Sequence, residues 1–183
     1  MAKVTIIAGG HSVQSRLTGV LQHIHHRLAL NGIDVHVIQV HQLPSGALIG
    51  ADFSNEDIVK AIELVNESDG VIVLTPVYKA SFSGILKTFL DLLPQKALQG
   101  KPVLPFVLGG TYGHLLVIEY ALKPIIHQLG ATVVQSGVYV VDQQVSKQDS
   151  DSYVLDPDAT DRLNLALFQY QSLIGGTANV AHP

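Results

Sequence analysis

Short apolar runs alternate along the chain with longer stretches of helical period. Residues 4–8, 35–40, 71–75, 103–108 and 132–141 are rich in Val, Ile and Leu and lack regular polar alternation, as expected of strands covered on both faces. Between them, residues 15–30, 54–67, 83–93 and 115–129 repeat their apolar positions every three to four residues, and a closing helix is expected near 158–174. Parallel neighbours need crossover helices, and right-handed crossovers place those helices on both faces of the sheet. The order therefore predicts an α/β fold: a doubly wound sheet of five parallel strands with helices on both faces, in one domain spanning 1–183. Ser54 opens Ser-Asn-Glu-Asp as an N-cap before acids, and Gly32 and Gly130 close the first and fourth helices. The polar, Asp-rich stretch 141–157 reads as an excursion after the fifth strand.

At 183 residues, with 47% hydrophobic and 14% charged residues, the chain has ample material for one buried core. A net charge of −4, from 11 basic against 15 acidic residues, leaves no excess to neutralise a nucleic-acid backbone. The absence of cysteine removes disulfides, thiol nucleophiles and thiolate metal sites together. The first apolar run is cut by Gly9-Gly10, too early for a signal peptide, and no segment is long and apolar enough to span a bilayer. A soluble cytoplasmic protein is expected.

In open α/β sheets ligands sit outside the carboxyl ends of the strands, so the loops after the first, third and fourth strands matter most. The first, from Gly9 to Gly19, offers hydroxyls, amides and the Arg16 guanidinium at a helix amino end, which is a phosphate-binding composition. It matches neither G-x-G-x-x-G nor G-x-x-x-x-G-K-[ST], and an ordinary N-capped Gly/Ser turn fits it equally well. The second, from Thr75 to Gly84, is a proline-stiffened turn carrying Tyr78; it can edge a planar ring, or Tyr78 can simply pack. The third, from Leu108 to His114, contains Gly109, Gly110 and Gly113, which let main-chain amides approach a flat ligand.

The pattern P-x-Y-x-x-S-x-S-G-x-L-K-x-x-L-D-x-L at 76–93, followed by Gly109-Gly110-Thr111, resembles the NAD(P)H-dependent FMN reductase family of the flavodoxin-like fold. The run from Thr75 to Pro94, with Ala-Leu-Gln-Gly-Lys at 97–101 and G-G-T-x-x-H-L-L-x-x-x-Y-A-L-K-P at 109–124, is similar to the FMN reductases that serve two-component alkanesulfonate monooxygenases. The resemblance covers most of residues 3–142. It implies FMN as cofactor or substrate, NAD(P)H as hydride donor and a flavin-dependent monooxygenase as partner, with NADH and NADPH left unranked. It places the phosphate on Ser15, Arg16 and Thr18, the isoalloxazine against Pro76, Val77 and Tyr78, and its polar edge beside Gly109, Gly110 and Thr111. No catalytic acid or base is implied, because hydride passes between stacked cofactors. Such reductases often show G-S-x-R where this chain has Gly10-His11-Ser12, which leaves His11 and Ser12 without a role. A flavodoxin-type electron carrier and a flavin-bound quinone or azo reductase are the alternatives on the same fold.

Other constellations are weaker. His23, His25 and His26 fall mid-helix, where their spacing does not converge on one metal ion. No G-x-S-x-G elbow starts a hydrolytic triad, and Thr75-Pro76 stands where a phosphoacceptor aspartate would be needed. The fourth helix is apolar nearly all round from Leu115 to Leu122, so a second face needs covering and a homodimer or homotetramer is expected. Pro124 lacks an N–H and crowds the Tyr120 carbonyl, so the helix should distort there. The resemblance implies that Tyr120 lies in a π-helical bulge at a subunit interface and tunes flavin exchange; a core tyrosine beside a kink is the alternative.

Overall fold

The apolar runs and periodic segments resolve, in a computed structural model describing residues 1–148 and 152–176, into β1 (Lys3–Ala8), α1 (Arg16–Leu30), β2 (Asp34–Gln39), α2 (Ser45–Gly50), α3 (Glu56–Asn66), β3 (Gly70–Tyr78), β4 (Ser81–Phe82), α4 (Gly84–Leu90), β5 (Val103–Gly109), α5 (Lys123–Gln128), β6 (Val138–Val141), β7 (Val145–Lys147), β8 (Tyr153–Leu155) and α6 (Pro157–Gly176). The main sheet runs β2-β1-β3-β5-β6, parallel throughout. Its order reverses at β1 and β3, which opens a crevice at their carboxyl ends.

Each central strand is buried on both sides. Val71 and Val73 face a core built with α3, α4 and the segment around α5, while Ile72 and Leu74 face a second core built with α1 and α6. This two-sided burial is why the strands read as continuous apolar runs.

Several expectations need correction. The sheet has six strands rather than five, because β4 turns back antiparallel on β3, pairing Val77 with Phe82 and Tyr78 with Ser81. The last parallel strand is shorter than 132–141. Gly137 sits at φ 82°, where a Cβ would meet the Pro105 carbonyl oxygen at 2.7 Å, and only an isolated bridge joins Val134 to Val103 before it. Asn55, not Ser54, caps α3, accepting from the Asp57 and Ile58 amides, while Ser54 donates its hydroxyl to Asp52. The excursion folds back as the β7–β8 hairpin, which packs against α1.

The expected fourth helix is not one helix. A 3-10 turn (Tyr112–His114) precedes it, and within 115–129 a π turn (Ile118–Leu122) leads into α5. The Lys123 amide reaches back to the Ile118 carbonyl, one residue further than in an α-helix. The widened turn stands where the Pro124 ring would crowd the Tyr120 carbonyl. Among the described residues no helix is long and apolar enough to cross a membrane.

Candidate active site

A cleft of about 360 Å³ opens at the carboxyl edge of β1, β3 and β5, a size suited to a small-molecule ligand. All three of the loops singled out by sequence reach it. From the first come His11, Ser15 and Arg16; from the second, Pro76, Val77 and Tyr78; from the third, Gly109 and Gly110.

The first loop presents unpaired donors. Ser15 takes the extended N-cap position of α1, but its hydroxyl turns back to the Ser12 carbonyl at 3.2 Å. Among the described residues, the amides of Ser15, Arg16 and Leu17 have no acceptor, so this helix end keeps its partial positive charge for an anion. Arg16 donates Nε to the Val145 carbonyl at 3.0 Å, and no carboxylate among the described residues pairs with its guanidinium. Thr18 does not line this cleft. Its hydroxyl donates to the Val13 carbonyl at 2.6 Å, and it faces a small adjoining pocket instead. Ser12 likewise serves the loop, accepting from the Gln14 amide at 3.0 Å.

The second loop is fixed to the first through Ser83, which also braces the second loop internally. The buried Ser83 hydroxyl donates to the Gly9 carbonyl at 2.6 Å, and the Ser83 amide donates to Thr75 Oγ1 at 3.1 Å. Across the cleft mouth, the Tyr78 hydroxyl lies 2.6 Å from His11 Nδ1. Burial first, and the negative charge of Asp142 second, push the Tyr78 hydroxyl above its ordinary pKa, so it stays protonated and able to donate. The β3–β4 turn holds Lys79 at φ 49° and Ala80 at φ 63°. Two consecutive non-glycine residues in that region store strain of the kind that collects at functional sites.

The two glycines of the third loop differ in kind. A Cβ on Gly109 would collide with the Tyr139 hydroxyl, so that glycine is required by packing. A Cβ on Gly110 would meet nothing within 4 Å, leaving a bare main-chain wall on the cleft. Thr111 points elsewhere. Its carbonyl accepts from the Tyr139 hydroxyl at 2.8 Å, and the residue borders an open hollow lined also by Val77, Lys79, Gly110 and His114. Val77 and Gly110 are shared by hollow and cleft. Arg162 steadies this side, donating to the Tyr139 carbonyl at 2.6 Å and to Gln144 Oε1 at 2.9 Å.

Asp142, Lys147 and Tyr153 also line the cleft and were not singled out by sequence. They come from the polar stretch after β6, whose only signal was its place beyond the carboxyl end of a strand. The Tyr153 hydroxyl is buried and has no partner among the described residues. Tyr120 lies apart, 77% exposed in the π turn, beside exposed Leu115 and Leu116. Of the histidine cluster, His23 bonds Asn164 of α6 at 3.0 Å, and among the described residues no group of three His, Cys, Asp or Glu is placed to hold a metal ion. The arrangement offers anion donors at one end and a side-chain-free wall beside a rigid aromatic turn at the other.

Comparison with known proteins bears on that arrangement. The profile of the family described as NADPH-dependent FMN reductase matches residues 2–146. The FMN reductase (NADPH) of Pseudomonas putida is 43% identical over 143 residues, covering 78% of this chain and 73% of that protein. Its Escherichia coli K12 counterpart is 43% identical over 145 residues, covering 78% and 75%. The apo form of an NADH:FMN oxidoreductase has a TM-score of 0.82 at 32% identity, covering 100% of this chain and 92% of that one.

Proposed function

We propose, from the premise that this chain belongs to the NADPH-dependent FMN reductase family, that the three-loop cleft is its FMN site and that it hands reduced flavin to a partner monooxygenase. The chain is an oxidoreductase that reduces FMN with NAD(P)H. The observation that carries the site assignment is the meeting of unpaired amides at the α1 amino end with the open Gly110 wall across a single cleft.

These residues fit FMN by their chemistry. The Arg16 guanidinium and the Ser15 and Arg16 amides suit a phosphate; Pro76, Val77 and Tyr78 suit the edge and face of a flat ring, and the Gly109-Gly110 main chain its polar rim. Thr18 and Thr111 take supporting parts in this reading, since each is engaged with the backbone of its own loop. FMN, when bound, supplies the hydride acceptor. The protein's share is to hold and orient. Ser83 locks the two loops together, and the His11–Tyr78 pair closes the mouth. The hollow beyond Val77 and Gly110 gives a nicotinamide access to a ring seated there, with Lys79 and His114 beside it for coenzyme phosphates.

The exposed Leu115, Leu116 and Tyr120 form the face that a second copy of the chain would cover, in a cytoplasmic dimer or tetramer. Tyr120 then sits at the interface, and flavin exchange is tied to assembly. The deciding experiment is anaerobic oxidation of NADPH or NADH with excess free FMN against a quinone acceptor. The proposal expects free FMN to support turnover and reduced FMN to pass through a size-exclusion membrane. Flavin retained by the protein while quinone is reduced faster would overturn it.

A further inference from the structure

The β7–β8 hairpin packs against α1 beside the first loop, and its register brings two unassigned groups to the cleft. Lys147 stands directly opposite Tyr153, and Val145 opposite Leu155. Directly opposed residues in an antiparallel pair project from the same face, and the buried Val145 marks that face as the one turned to α1. Gly19 makes the approach possible: a Cβ there would meet Tyr153 Cβ at 2.6 Å. Arg16, at the start of the same helix, fastens the hairpin through the Val145 carbonyl.

We infer that Lys147 and Tyr153 form the second half of a phosphate site, closing with Arg16 on the phosphate monoester of FMN. The inference rests on the reading of the cleft as the FMN site. A phosphate monoester near neutral pH carries close to two negative charges and three acceptor oxygens. Arg16 and the α1 amides meet part of that demand. Lys147 lines the same cleft, is exposed, and has no ion-pair partner among the described residues. The buried, unpartnered Tyr153 hydroxyl is a costly feature of a protein that never binds there, and a phosphate oxygen would satisfy it. Asp142 also lines the cleft. Its charge acts on the Tyr78 hydroxyl, which this reading gives to the ring.

Riboflavin, which is FMN without the phosphate, isolates this contribution. FMN and riboflavin are titrated separately into the parent, Lys147→Gln, Lys147→Arg and Tyr153→Phe, following flavin fluorescence, with thermal melts as a check on folding. For Lys147→Gln the inference expects FMN binding to weaken by about tenfold or more with riboflavin unchanged, from the loss of one charge-assisted contact. Lys147→Arg should hold FMN within about threefold of the parent, because the charge is kept. Tyr153→Phe should lose about two- to tenfold for FMN alone, the worth of one neutral hydrogen bond. Equal losses for both flavins in Lys147→Gln, or no loss of FMN, would overturn the inference. A parent that fails to bind either flavin would instead overturn the FMN site itself.

Discussion

The Ser83 hydroxyl donates to the carbonyl oxygen of Gly9 at 2.6 Å while accepting from the Leu86 amide, so one buried side chain caps α4 and joins the first loop to the second. Ser83→Ala removes the cap and leaves the Gly9 carbonyl without that donor, at an expected cost of about 1–3 kcal/mol. Urea unfolding should show it. The same variant should bind FMN more weakly than its stability loss explains, because the two halves of the site lose their common anchor. Unchanged unfolding would mean the bond has no energetic weight.

Arg16→Ala should weaken FMN by about 1.5–3 kcal/mol through loss of a charge-assisted contact. Ser15→Ala should have a much smaller effect, since the Ser15 hydroxyl already serves the Ser12 carbonyl and it is the amide, kept in the variant, that has no partner among the described residues. Isothermal titration of FMN into both variants checks the ranking. Equal losses would show that the hydroxyl leaves its internal partner for the phosphate.

Tyr120→Ala should alter assembly mass, flavin retention or both, measured by light scattering and by the flavin absorbance that survives gel filtration. The residue is 77% exposed in a turn widened beside Pro124, so a loss of fold stability is not expected. A monomeric parent, or a variant unchanged in both readouts, would contradict the interface role.

His23 gives a pH signature. Burial, opposed by its bond to Asn164, holds its pKa below the ordinary 6.5. As pH falls below 6.5, the unfolded imidazole gains its proton before the folded one does, so stability is lost on acidification through that window. In His23→Gln the urea midpoint should fall less steeply below pH 6.5 than in the parent. A parallel pair of curves would remove His23 from the acid response.

The sheet was legible because its strands are covered on both faces, which erases polar alternation, and because Gly32 at φ 73° and Gly130 at φ 95° end helices where their sequence positions say they should. Features decided by tertiary contact were not legible. β7 and β8 are three residues each, and the Tyr-Val-Leu of β8 is too short an apolar run to stand out as a strand from the polar stretch around it. Ser54 lost the cap to Asn55 because Asp52 captured its hydroxyl. Within the site, composition identified the three loops but not which hydroxyls were already engaged, as with Thr18 and Thr111. Lys147 and Tyr153 reach the cleft only because the hairpin folds back on α1.

The central claim is that the first, second and third loops form one FMN site, and Gly110 tests it most directly. A Cβ there meets no atom within 4 Å and the φ at Gly110 is not in the left-handed region, so Gly110→Val should fold and melt like the parent while its side chain stands where the ring must lie. FMN titration, with thermal melts alongside, is the measurement. The account predicts stoichiometric FMN binding by the parent and a loss of about tenfold or more in the variant at an unchanged melting temperature, the effect of about 1.4 kcal/mol or more. A variant that melts like the parent and binds FMN with the parent's affinity would contradict it.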